Sequence, residues 1–228
     1  HIIAAYSFEL GKVEREVIRA RQVNEILANI DLELARRVAQ NLGLPAPTKG
    51  TVPPRKASVK ASPALSQVNL LSGDIKTRKV AILAADGVDG AAIAALKKAL
   101  QAEGAHAKLL GPTSAPVTTA DGKHLAVDAS MAGLPSIAFD AVFVPGGKAS
   151  IKALSGDGVA LHYLLEAYKH LKAIAVASDA QPLLDLLKLE ADAGLIVGAD
   201  AKAFKAFFKA IAQHRVWERE PKAKAVPA

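Results

Sequence analysis

Apolar residues recur at helical spacing from Phe8 to Leu44. The successive stripes consist of Leu10, Val13, Val17, Val23, Ile26, Leu27, Ile30, Leu34, Val38 and Leu42. Asp31 stands between two stripes, where its short carboxylate suits a helix N-cap. The run Asn41–Pro45 places a glycine before a proline, which is typical of a helix end. The pattern predicts two tandem helices between Phe8 and Leu44. Charged residues surround their apolar stripes, so the helix pair needs a partner surface.

Residues 45–63 lack this periodicity and contain five prolines and four basic residues but no acidic residue. Such a segment has too little apolar surface to pack as a regular element. A basic arm for nucleic acid or an acidic surface is one interpretation. We expect instead an extended, proline-rich linker over residues 45–77.

From Lys79 onward, short apolar runs alternate with helical patterns. The predicted strands cover residues 79–85, 105–110, 140–144, 173–177 and 194–197, and the predicted helices cover 90–103, 159–171, 182–189 and 201–214. Asp121-Gly122 marks a hairpin turn. This alternation predicts an α/β fold over residues 78–228, a doubly wound parallel sheet with helices on both faces. Ligands of such folds bind beyond the carboxyl ends of the strands.

Composition limits the chemistry of the chain. Its 228 residues are 51% hydrophobic and 22% charged, which suits a folded core. The absence of cysteine excludes disulfides, thiolate nucleophiles and cysteine-ligated metals, and it suits the cytoplasm. The net charge of +7 favours binding to acidic partners, but it does not identify a particular partner. Because no apolar run approaches the roughly 18 residues of a membrane span, we expect no membrane partner, and no nucleic-acid partner either.

Two glycines, Gly146 and Gly147, follow the predicted strand at residues 140–144. Their backbone N–H groups could converge on a small anion, and a structural tight turn is the alternative. The phosphate-binding pattern Gly-x-x-x-x-Gly-Lys-Ser/Thr is not met, because Val142 and Ala149 stand at its first and last positions. Nucleotide binding is therefore not expected.

Ser178 and Asp179 follow the fourth predicted strand, where α/β enzymes carry a nucleophile. Val176 and Ala180 stand where the strained Gly-x-Ser-x-Gly turn has glycines, and no histidine is placed to activate the hydroxyl. We expect the Ser178 hydroxyl to cap the following helix instead.

Two further patterns are ordinary helix surfaces. His162, Glu166 and His170 are spaced for one helix face, but a metal site would need a further donor and a second shell. We expect an ion pair at this spacing rather than a metal. Residues 201–211 interleave lysine with phenylalanine, and the two residue types fall on separate stripes of an amphipathic helix.

Four segments stand in an order that matches one protein family. They are AYSFELGKV (5–13), IDLELARRVAQNLGL (30–44), LEAYKHLK (165–172) and QHRVWER (213–219). Together they resemble the C-terminal third of large-subunit haem catalases, and the match covers essentially the whole chain. The resemblance implies that residues 1–44 end a helical domain packed on the catalase barrel, that residues 45–77 are a linker, and that residues 78–228 form a flavodoxin-like domain. The first residue, His1, also suits a portion of a larger protein.

The flavodoxin-like part in turn resembles the PfpI superfamily, whose members use a cysteine, a following histidine and an acid from the loop after the first strand. By position these fall on Ser178, Asp179 and Asp89. Without the thiol and its neighbour the low-pKa nucleophile is lost. These three positions are therefore expected to be degenerate, with no catalytic, cofactor-binding or metal-binding residue in this chain.

The catalase resemblance places the distal histidine, the distal asparagine and the haem-ligating tyrosine upstream of His1. It implies a non-catalytic region of a catalase that disproportionates hydrogen peroxide, with haem in the parent protein only. The implied partners are the rest of the subunit and a homotetramer, and the implied roles are stabilisation, shielding of the haem channel and protection of unfolded client proteins. The alternative is an independent PfpI-like stress hydrolase or glyoxalase acting through Ser178.

Overall fold

The computed structural model describes residues 2–52, 62–65 and 73–227. The chain divides into two compact units, residues 1–63 and 64–228. Much of the expected linker, residues 53–61 and 66–72, lies outside the described residues.

The first unit is helical. Its elements are α1 (Ile2–Gly11), α2 (Glu16–Arg21, a π-helical part at Gln22–Leu27 and a last turn at Ala28–Ile30) and α3 (Leu32–Asn41). Asp31 is the predicted N-cap, because its carboxylate accepts a hydrogen bond of 2.8 Å from the Leu34 backbone N–H. The first predicted helix is interrupted between Gly11 and Glu16. Periodicity alone does not show such a break, because the apolar spacing continues across it.

Residues 45–52 lie against the helices of the same unit. The Arg36 Nε atom donates to the Pro47 carbonyl oxygen at 3.1 Å, and the Asn29 side-chain amide donates to the Thr51 hydroxyl at 2.6 Å. Gly43 adopts the left-handed conformation (φ 68°) expected at the end of α3.

The second unit is built on a parallel sheet. Its strands are β1 (Lys79–Leu83), β2 (His106–Gly111), β5 (Ala129–Ser130), β6 (Ala141–Val144), β7 (Ala173–Val176) and β8 (Leu195–Val197). Their order is β5-β2-β1-β6-β7-β8, and every pairing is parallel. The predicted hairpin forms as β3 (Val117–Thr118) and β4 (His124–Leu125). The chain order reverses between β1 and β6, which confirms the predicted flavodoxin-like sheet.

Helices cover both faces of this sheet. They are α4 (Gly90–Ala102), α5 (Lys148–Ser155), α6 (Gly158–Lys169), α7 (Gln181–Leu186), α8 (Ala201–Ala212) and α9 (Glu220–Ala223). Val80 and Ile82 face α4 and α8, while Ala81 and Leu83 face the helices on the other side. Alternate strand residues therefore build two separate cores, and this accounts for strands that are apolar throughout.

The sequence patterns did not predict the short helix α9, nor the two elements α5 and β5. The helix α5 begins directly after Gly147 and carries two lysines and two serines in eight residues, which obscures its apolar stripe. The strand β5 has only two residues. Both depend on packing against neighbours that are distant in sequence.

None of the helices in the described parts of the chain is both long enough and apolar enough to span a bilayer.

Candidate functional site

The loops after β1 and β6 meet where the strand order reverses, which is the usual ligand position in a doubly wound sheet. The Asp89 backbone N–H donates to the Gly146 carbonyl oxygen at 2.7 Å and ties the two loops together. A cavity of about 710 Å³ opens beside them, and Asp89, Gly147 and Asp179 contribute to its lining. The fold therefore brings two of the three sequence-predicted positions to one cavity.

Ser178 is exposed, in a short 3-10 turn that follows β7. Among the described residues its hydroxyl has no hydrogen bond to a histidine or to any other base. The prediction that this hydroxyl caps the next helix is wrong. The 3-10 turn at Ser178–Ala180 separates it from α7, whose N-cap position is Ala180 and has no side-chain cap.

Asp179 fills the anion position that the two glycines create. Its carboxylate accepts a hydrogen bond of 2.8 Å from the Gly147 backbone N–H. Gly146 approaches the same carboxylate so closely that a Cβ atom there would collide with it. The N–H that could hold a substrate oxyanion is thus already paired with an anion of the chain itself.

Asp89 has a capping role in this structure. Its carboxylate accepts hydrogen bonds from the backbone N–H groups of Ala91 (2.9 Å) and Ala92 (3.1 Å) at the start of α4. A carboxylate held in this way satisfies two backbone donors at the start of the helix. Among the described residues, no histidine or lysine forms an ion pair with Asp89.

Two polar groups near the cavity were missed from the sequence. Ser150 is fully buried on α5, and its hydroxyl oxygen accepts the Ala85 backbone N–H at 3.0 Å, which fixes the end of β1. On the exposed hairpin, hydrogen bonds from Lys123 and Thr119 lower the pKa of Asp121 to about 2. Ser150 and Ala85 are 65 residues apart in the sequence, so no local pattern indicates their contact.

The two helix-surface patterns lie on α6 and α8. The His162 Nε2 atom lies 3.9 Å from the Glu166 carboxylate, and the part of the chain that the structure describes contains no cluster of metal-ligating side chains. On α8, Phe204, Phe207 and Ile211 are buried while the lysines are exposed.

Comparisons with known proteins give one consistent match. The family described as "C-terminal domain found in long catalases" matches residues 76–221, and the family "Catalase-related immune-responsive" matches residues 1–42. Catalase HPII of Pseudomonas putida is 59% identical over the whole chain, catalase HPII of Pseudomonas aeruginosa is 56% identical, and catalase-B of Dictyostelium discoideum is 46% identical. The chain covers 32%, 32% and 33% of these proteins, so it spans about a third of the length of the curated relatives it matches.

Proposed function

Because the chain belongs to the long catalases, in which it forms the C-terminal region, we propose that it is a non-catalytic part of a haem catalase. The rest of that subunit would carry the haem and convert hydrogen peroxide to water and oxygen, in the cytoplasm. Residues 1–44 would end its helical domain, residues 45–77 would be a linker, and residues 78–228 would form the added domain. The two family matches, at residues 1–42 and 76–221, support this division because the proposed linker lies between them.

Among the described residues, the two buried tyrosines and the cavity beside Asp179 do not fit a haem site. The hydroxyls of the two buried tyrosines, Tyr163 and Tyr168, donate to the backbone carbonyls of Leu134 (3.2 Å) and Glu190 (3.4 Å). Burial raises the pKa of Tyr163, which opposes the phenolate that would ligate iron. The described lining of the cavity beside Asp179 includes no tyrosine, histidine or methionine. No step of the peroxide reaction is therefore assigned to this chain.

The pairing of Asp179 with the Gly147 N–H carries the proposal of a non-catalytic role. A hydrolase of this fold needs an activated nucleophile and an N–H group free to stabilise the oxyanion. Here the exposed Ser178 hydroxyl has no base in the described residues, and the N–H is paired with a carboxylate. Neither requirement is met in the loops after β6 and β7, which argues against an independent stress enzyme.

We expect the purified chain to be inactive in both assays that distinguish the two hypotheses. Mixed with haem, it should show no Soret band of a bound complex and should release no oxygen from hydrogen peroxide. It should not turn over methylglyoxal or simple esters, and the Ser178→Ala variant should behave identically. Oxygen release by this chain alone would contradict the first hypothesis, and an esterase or glyoxalase activity that disappears in Ser178→Ala would establish the second.

The first unit supplies the surface for a partner, which we propose to be the rest of the subunit and its homotetramer. An exposed apolar set consists of Ile2, Phe8, Val17, Ile18, Ile26 and Ile30. Exposed apolar side chains at this density on a short helical segment are typical of an interface. In the isolated chain, where it is uncovered, the same set would hold unfolded client proteins, and in the assembled enzyme this C-terminal region would help to shield the haem channel.

Serine substitution of Ile26 and Ile30 should weaken assembly without unfolding this region. The two side chains are 47% and 66% exposed and lie four residues apart on α2, so the isolated chain should lose less than about 0.5 kcal/mol of stability. In the complete catalase we expect easier dissociation of the tetramer, measured by sedimentation, and in the isolated chain weaker suppression of light scattering by a heated client protein.

The matched control is Ile137→Ser, which changes an isoleucine that is 81% exposed in the second unit. The control should assemble and protect clients as the parent does. If the double variant Ile26→Ser/Ile30→Ser behaves like the control, the exposed apolar set does not form the interface.

A further inference from the structure

A row of charged residues lies at the amino ends of the central strands, at the edge of the sheet opposite the candidate site. Lys79 begins β1, Asp140 immediately precedes β6, and Lys172 immediately precedes β7. Because β1 pairs with β6 and β6 with β7 in consecutive register, these three residues stand side by side across the sheet. Arg78 adjoins them, and its Nη1 atom lies 3.1 Å from the Asp140 carboxylate.

Arg215 extends this row on the side of Lys172. The backbone N–H of Val216 donates to the Leu171 carbonyl oxygen at 2.8 Å, which holds Arg215 beside Lys172. The guanidinium is half-buried, and its Nη1 atom donates to the His214 carbonyl oxygen at 2.8 Å. Over residues 2–52, 62–65 and 73–227, no carboxylate forms an ion pair with Arg215.

The two carboxylates near this row are already engaged. One oxygen of Asp140 accepts from Arg78, and the other accepts from the Lys79 backbone N–H at 2.8 Å. Glu166 accepts from the Ser136 hydroxyl at 3.4 Å and lies near His162. Their four oxygens therefore leave Arg215 without a direct counter-charge.

Lys172 is the most deeply buried cation of the row. It is only 3% exposed, and its ammonium donates to the Ser136 carbonyl oxygen at 2.6 Å, which is a neutral acceptor. Burial and then the charge of Arg215 lower the pKa of Lys172 to about 8, although Asp140 and Glu166 oppose this shift. Burial and then Arg215 and Arg78 also lower the pKa of His214. Burial is the larger cause of both shifts, and the positive charges of the neighbouring arginines add to it.

We propose that Arg215 binds a small oxyanion such as phosphate at this edge of the sheet, with Arg78 and the buried Lys172 as neighbouring positive charges. A guanidinium offers a planar pair of N–H donors that matches two oxygens of a phosphate or carboxylate, and the ammonium adds a point charge. Partial burial strengthens such contacts, because screening by water and salt is weaker there. The site is independent of the haem chemistry and of the cavity beside Asp179.

The direct test is calorimetric titration of the full 228-residue chain with inorganic phosphate at constant ionic strength. We expect saturable binding and a rise in Tm of roughly 3 °C at about ten times the dissociation constant. Arg215→Gln should weaken phosphate binding about tenfold or more, and Arg215→Lys should weaken it less, because it keeps the charge and loses the planar donor pair. Acetate in place of phosphate tests whether a carboxylate is the preferred oxyanion.

The control variant is Arg37→Gln, which removes an exposed arginine paired with Glu33 in the first unit. It should bind phosphate as the parent does, and circular dichroism should show that all three variants are folded. Bound phosphate should also raise the pKa of Lys172, followed by NMR of its side chain. The proposal fails if phosphate does not bind the parent chain, if Arg215→Gln binds it equally well, or if binding leaves the Lys172 titration unchanged.

Discussion

Replacement of Arg219 by alanine is expected to lower the free energy of unfolding by about 3–5 kcal/mol. The Arg219 side chain is fully buried and forms two hydrogen bonds to the Asp192 carboxylate, at 2.6 Å and 2.9 Å. It also donates to the Lys172 carbonyl oxygen at 2.7 Å and packs on the ring of Tyr168. Its removal would leave an almost buried carboxylate and a backbone carbonyl without their donors, which costs more than the loss of the pair itself. Urea denaturation monitored by circular dichroism measures the change.

The control for this prediction is Arg37→Ala, which breaks an exposed helical ion pair with Glu33 and should cost less than about 0.5 kcal/mol. A cost in Arg219→Ala as small as that of the control would contradict the prediction.

The ion pair also predicts how stability depends on pH. Burial alone would raise the pKa of Asp192, but the hydrogen bonds and charge of Arg219 outweigh it and the pKa is lowered. The stabilisation is therefore present above the pKa of the unfolded carboxyl and is lost as the pH falls through the folded value. Acid denaturation should accordingly be less steep in Arg219→Ala, because the folded state of that variant no longer favours the ionised carboxylate.

Replacement of Gly147 by alanine should destabilise the second unit by about 3 kcal/mol or more. Gly147 has a φ of 115°, which residues with a Cβ atom rarely adopt. A Cβ atom there would collide with the Gly87 carbonyl oxygen, and this oxygen belongs to the backbone of the loop after β1. Because the loops after β1 and β6 are both held by strands, the collision cannot be relieved by rotation of a side chain. Thermal unfolding of the chain gives the measurement.

Gly122→Ala is the matched control for the backbone conformation. Gly122 also has a positive φ, at 84°, but it lies in the exposed hairpin turn with no other group within 4 Å of a Cβ atom. It should cost about 1 kcal/mol, from the unfavourable φ alone. The difference in the free energy of unfolding between the two variants measures the contribution of the close approach of the two loops. Equal losses of stability would show that the loops can move apart.

In the candidate site, the positions of the loops were predictable from the sequence, but the contacts of their side chains were not. The position of Ser178 after a buried strand was predictable, because parallel strands and their loops leave a local pattern. Its expected capping role was wrong, because the 3-10 turn at Ser178–Ala180 leaves Ala180, which has no capping side chain, at the N-cap of α7. The pairing of Asp179 with Gly147 joins residues 32 positions apart, and neither residue type signals the other.

The sequence by itself determined the alternation of the main strands and helices, the capping of α3 by Asp31 and membership of the catalase family. These features depend on short-range periodicity, on local hydrogen bonding or on similarity along the chain, so neighbouring residues contain the information. Only the tertiary structure decided that Asp179 fills the anion position at one edge of the sheet and that no carboxylate forms a direct ion pair with Arg215 at the other. Both depend on which side chains the parallel strands bring together, and the electrostatic energy of a charge depends on burial and distance rather than on its place in the sequence.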